Sequence, residues 1–123
     1  MTALERIENA VEKTSTKLDL SGTGITEIPS EINGLTWLTD LILWNTKVSD
    51  LRPLAGLENL KTLHLPKSVT DVSPLSEMVS LKTLDAWNSD VTDFTCLDGL
   101  VALGLKIHYD VKKVADLLKR QAV

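Results

Sequence analysis

The sequence predicts an α/β solenoid: a curved parallel sheet of four to five stacked repeats with a capping helix at each end. Three observations predict it. First, leucines recur as L-x-x-L-x-L with a period of about 22 residues. In the stretch Leu38 to Asn59, Leu38, Leu41 and Leu43 lead into a short polar turn, then Val48, Leu51, Leu54 and Leu57, and the chain starts again at Leu60. One strand and one return segment carry a single apolar edge, which such a unit can bury only by stacking on its copies. Second, Phe and Tyr occur once each in a chain that is 43% hydrophobic, so the core is aliphatic. Third, both ends carry short amphipathic segments of helical period.

Taken in order, residues 2–14 read as a helix, with Leu4, Ile7 and Val11 on one stripe between charged residues. A helix this short needs a surface to dock on, and the open end of the first repeat supplies one. Four units follow, Ser15 to Trp37, Leu38 to Asn59, Leu60 to Ser80 and Leu81 to Ala102, with lengths of 23, 22, 21 and 22 residues. Counting from the first residue of each unit, positions 4 and 6 are Leu18/Leu20, Leu41/Leu43, Leu63/Leu65 and Leu84/Ala86. Branched residues recur at Ile25, Val48, Val69 and Val91, then at Ile28, Leu51, Val72 and Phe94. The return segments carry Leu35, Leu57, Val79 and Leu100. Asp50 to Leu54 and Asp71 to Leu75 share the pattern D-x-x-P-L, which suits a tight 3₁₀ return because proline fixes φ where no ladder hydrogen bond is needed. A degenerate fifth strand is expected at Leu105 to Tyr109, with Leu105 and Ile107 inward. Asp110 then caps a last helix from Val111 to about Gln121, with Val114, Leu117 and Leu118 on its stripe. The organisation is therefore one domain: residues 1–14 a capping helix, 15–109 the repeats, 110–123 a second capping helix.

Over residues 15–109 the chain resembles a short leucine-rich repeat protein. The usual asparagine at position 9 is replaced by Thr23, Thr46, Ser68 and Ser89, which resembles a hydroxyl variant common in bacterial members. The first unit, with ITEIPSEINGL, is similar to the plant-type repeat also found in bacteria. The resemblance implies a right-handed solenoid, a bacterial source and a protein-binding, non-catalytic role.

In a strand the side chains alternate, so positions 4 and 6 enter the core while 3, 5 and 7 face outward on the concave sheet. Position 5 reads Asp19, Ile42, His64, Asp85, then Lys106, and position 7 reads Ser21, Trp44, Pro66, Trp87, then His108. Two of the three tryptophans thus fall on one outward ladder, about 10 Å apart if the strands are adjacent rungs. Folding demands no large aromatic there, and exposed aromatics with a polar surround are the usual make-up of a binding hot spot. The plainer reading is that each indole lies flat and shields the sheet. The expected partner-binding set is Trp44 and Trp87 as anchors, Ile42 and His64 beside them, and Asp40, Asp85, Lys61 and Lys82 as a charged rim. Trp37, at the end of a repeat, is expected to pack at an edge.

Other classes are disfavoured. A net charge of −4 and a pI near 5.1 give no basic field for nucleic acid or an anionic membrane. The acidic first ten residues lack an apolar signal core, and one cysteine allows no internal disulfide, so a cytoplasmic setting is expected. Cys96 lies on the return side and His64 and His108 on the strand side, which separates any nucleophile from a base. It reads as a small buried hydrophobe. No residues show metal-ligand spacing, Gly22 and Gly24 flank a turn rather than a phosphate loop, and no cofactor is expected. The resulting expectation is a protein–protein interaction module, in concrete form an inhibitor or immunity-type protein that neutralises a toxin or effector. The alternatives are a structural homo-oligomer and the recognition part of a larger bacterial effector.

Overall fold

The computed structural model describes residues 2–121. Helix α1 (Ala3–Lys13) begins where the Thr2 hydroxyl accepts the Glu5 N–H at 3.1 Å and ends at Thr14, whose φ of 50° turns the chain left-handed. Five three-residue strands follow: β1 (Lys17–Asp19), β2 (Asp40–Ile42), β3 (Thr62–His64), β4 (Thr83–Asp85) and β5 (Lys106–His108). They pair in parallel and in sequence order, which the repeat alone requires. Leu18, Leu41, Leu63, Leu84 and Ile107 share one rung, so the expected register of the first four units is the observed one.

Between strands the chain returns through 3₁₀ turns, Ser30–Gly34, Arg52–Leu54, Ser73–Leu75 and Thr95–Leu97, the last running into a short helix α2 (Asp98–Ala102). The last three of these turns start alike. Asp50, Asp71 and Asp93 each accept the backbone N–H two residues on, from Arg52, Ser73 and Thr95, all at 2.9 Å. Helix α3 (Val111–Gln121) closes the described chain.

The core is a column of leucines between sheet and returns. Leu38, Leu60 and Leu81 open their units, and Leu41, Leu43, Leu63 and Leu65 follow, none more than 1% exposed. Burying each such side chain stabilises the fold by about 1.5–3 kcal/mol. Hydroxyls complete the polar accounts of the turns: Thr23, Thr46 and Ser89 donate to carbonyls three residues back at 2.8–2.9 Å, and Ser68 donates to the Val48 carbonyl. At the residue before Thr23 and before Thr46 the backbone is left-handed, filled by Gly22 (φ 71°) and Asn45 (φ 54°), the residue types that tolerate it.

Four expectations are corrected. In α1 the buried residues are Ala3, Ile7 and Ala10, while Leu4 and Val11 are about half exposed. The helix is turned so that its alanines approach β1, and Arg6 holds that rotation by donating to the carbonyls of Asp19 and Ser21 at 3.0 and 2.9 Å. In the third return segment Met78 is buried and Val79 exposed, because the N–H of Met78 donates to Leu75 as that of Leu57 does to Leu54. In the fifth unit His108 pairs with Asp85 and Lys106 with Thr83, two positions from their expected rungs. The turn at Leu103 and Gly104 (φ 108°) that follows α2 absorbs the difference, and an even shift leaves each side chain on its expected face. Cys96 is exposed, since it takes the slot that Pro53 and Pro74 fill in the preceding returns, on the outer side of the 3₁₀ turn.

Candidate functional site

The outward side of the sheet is built from position 5 upward. Asp19 and Asp85 both turn a carboxylate oxygen onto the N–H two residues on, Ser21 at 2.9 Å and Trp87 at 3.1 Å. The second oxygen of Asp85 lies 3.1 Å from Nδ1 of His64. The His64 ring in turn meets Trp44 edge-on, with centroids 4.8 Å apart and planes at 75°. A continuous series therefore runs from the Trp44 indole through His64 and Asp85 to the backbone of Trp87. Both indoles stand just beyond their strands, Trp44 37% and Trp87 55% exposed. Trp44 leans on its neighbour, whereas Trp87 joins this series through its backbone N–H.

Ile42 is corrected: it is buried, at 7% exposure, and lies outside the leucine core. It sits between the Asp19 and His64 rungs with Trp44 two residues on along the same side, so it forms a floor beneath the ring pair. Asp40, Lys61 and Lys82 lie at the other margin, at the N-terminal ends of the strands, Asp40 half-buried and both lysines exposed. They do not meet the indoles. Trp37 is partly buried against the core, and its indole N–H donates to the Ser15 carbonyl at 2.9 Å.

A second feature adjoins Trp44. A groove of about 860 Å³ runs between the turns after the strands, with Asn45, Lys67 and Asn88, and the flank of α3, with Asp116, Leu117 and Arg120. Helix α3 is tied across it by Lys113, whose Nζ lies 3.2 Å from Asp90. The Trp-Asn pairs at 44–45 and 87–88 were the available signal for this rim, but nothing local to the sequence brings α3 beside them. Among the described residues no group of three or more His, Cys, Asp or Glu side chains forms a metal cluster, and no helix is long and apolar enough to cross a membrane.

The return side differs in chemistry. Asp50 is held down to about 2 by hydrogen bonds from the Arg52 side chain and backbone, and Asp71 and Asp93 are lowered by bonds from Ser73 and Thr95. The Cys96 thiol is pushed up, first by partial burial of the sulfur and then by the negative charges of Asp71 and Asp93. Cys96 lies on a return turn, and His64 and His108 lie on β3 and β5.

Comparison with solved structures agrees with this geometry. An internalin (inlF) of Listeria monocytogenes superposes with a TM-score of 0.65 at 27% identity, covering 90% of this chain and 34% of that one. The fold is a leucine-rich repeat solenoid. Internalin C2 of the same organism superposes with a TM-score of 0.65 at 22% identity, covering 94% of this chain and 69% of that one. The chain thus spans about a third of the first and about two thirds of the second. No protein-family model and no curated protein matches the sequence.

Proposed function

We propose that the chain is a non-catalytic protein-interaction module that receives a partner protein on its concave sheet face, with Trp44 and Trp87 as anchors. The observation that carries this reading is the series Trp44–His64–Asp85–Trp87, which braces the Trp44 indole and the Trp87 backbone and leaves both indoles exposed outside the leucine core. Large, pre-positioned aromatics lose little conformational freedom on binding and supply most of the energy in a typical hot spot. The leucine-rich repeat fold, shared with longer chains, supports a recognition role. Its concrete form is a toxin- or effector-neutralising inhibitor in a reducing cytoplasm, where the exposed Cys96 stays a thiol.

The test is capture of proteins from the native cell by the wild-type chain and by Trp44→Ala and Trp87→Ala. Each substitution is expected to weaken capture on the order of thirtyfold or more while the melting temperature changes little. Undiminished capture by both folded variants overturns the reading. A homo-oligomer is the second reading, favoured by exposed Val101, Leu103, Val111 and Leu118 towards the C-terminal end. Sedimentation at micromolar concentration separates them, because a monomer removes it.

A further inference from the structure

On the sheet face, Asp19 and Asp85 are engaged, whereas three exposed lysines are not. Asp85 holds His64 and the Trp87 N–H, and Asp19 holds the Ser21 N–H. Burial acts first to raise the Asp19 carboxyl, but the Ser21 hydrogen bonds and the charges of Arg6 and Lys17 outweigh it and leave it lowered. Lys61, Lys82 and Lys106, by contrast, are all exposed, and none forms an ion pair among the described residues. They stand on consecutive strands, Lys61 and Lys82 just before β3 and β4 and Lys106 one position further on, opposite Thr83. The Lys82 N–H donates to the Lys61 carbonyl at 2.8 Å and the Lys106 N–H to the Lys82 carbonyl at 3.0 Å. With strands about 4.8 Å apart, three like charges line the N-terminal margin of β3, β4 and β5 within about 10 Å.

Like charges side by side on a sheet repel, and that repulsion turns to attraction only opposite a negative surface. The rest of the molecule carries the opposite excess, since the whole chain is at −4. A polyanion larger than this margin, such as duplex nucleic acid, would meet that acidic surround. A short acidic stretch of protein would not.

We propose that the partner lays an acidic polypeptide segment along Lys61, Lys82 and Lys106 and seats an apolar side chain of the same segment against Trp87. This rests on the concave-face reading and names the chemistry of its partner. Along β4 the two subsites are Lys82 and Trp87, roughly 16 Å apart in extended chain. The recognised segment therefore carries its acidic cluster and its apolar residue about five positions apart.

The experiment is selection of a displayed library of random peptides, each about twelve residues long and so able to span that distance, on the immobilised full chain. Parallel selections use the triple variant Lys61→Glu, Lys82→Glu, Lys106→Glu and the variant Trp87→Ala, each checked for folding by circular dichroism. Wild type is expected to enrich Asp and Glu clusters about five positions from an apolar residue, in either order. The selected peptides should bind the lysine variant at least tenfold more weakly, and wild type on the order of tenfold more weakly as salt rises from about 0.05 to 0.2 M. Peptides without acidic excess, or equal binding by the lysine variant, overturn the proposal. If that happens while Trp87→Ala still loses binding, the concave-face reading stands without it. If neither variant matters, the proposal falls and so does the part of the concave-face reading that rests on Trp87. Equal affinity for a duplex DNA oligonucleotide through the same lysines also overturns it.

Discussion

The two end helices have the same length, eleven residues, and the same amphipathic build, yet they sit on the solenoid differently. Helix α1 buries Ala3, Ile7 and Ala10 on the first strand and fixes its rotation with the two Arg6 hydrogen bonds. Helix α3 buries no described side chain fully. Val114 and Leu117 are half-covered, Leu118 is 46% exposed and Val111 69%. The difference teaches that an apolar stripe alone does not fix how closely an end helix packs. Small residues that let the backbones approach, and a polar fork that fixes the angle, make α1 part of the core. Without them α3 packs more loosely at its end and also walls a groove.

The comparison can be broken most sharply at the apolar contacts. Ile7→Ala is expected to destabilise the fold by about 2–5 kcal/mol, whereas Leu118→Ala should stay within about 0.5 kcal/mol. Denaturant midpoints measure both, and equal losses would erase the distinction between the tightly and the loosely packed end. A smaller contrast lies in the polar ties. Arg6→Ala should cost about 1–2 kcal/mol, because it leaves two carbonyls without their donor. Lys113→Ala breaks a more exposed ion pair, and about 0.2–1 kcal/mol is expected. The smallest effect is on acid stability, and it belongs to the repeats between the helices. The carboxyls of Asp50, Asp71 and Asp93 are held below their ordinary value, so they stabilise the folded state above about pH 4. That contribution is lost as pH falls, for Asp50 through about 2. Melting temperature should therefore decline on acidification below about pH 4, and Asp50→Asn should flatten the decline. A decline unaltered in that variant would assign the acid sensitivity elsewhere.

Much of the fold is legible in the residues because one leucine spacing answers several questions at once. Leu41, Leu63 and Leu84 state the strand, its inward face and its register together. Legibility fails where two neighbouring residues satisfy the pattern equally. Met78 and Val79 are both apolar, and the 3₁₀ hydrogen bond to Leu75 selects Met78. Cys96 read as buried because cysteine so often is, but its slot is the proline slot of the earlier turns. At the candidate site the outward direction of Ile42 was legible and its burial was not, because the cover comes from rungs about twenty residues away on either side.

By itself the sequence determined the period, the parallel order of the strands, the inward leucines and the placing of Trp44 and Trp87 on one side. Those follow from the two-residue alternation of a strand and from a unit that must stack to bury its edge. Tertiary structure alone decided the rotation of α1, the position of α3 beside Trp44, the burial of Ile42, and the linkage of His64 to Asp85. Each of these depends on which side chains from distant repeats come within a few ångströms, and local period carries no information about that distance.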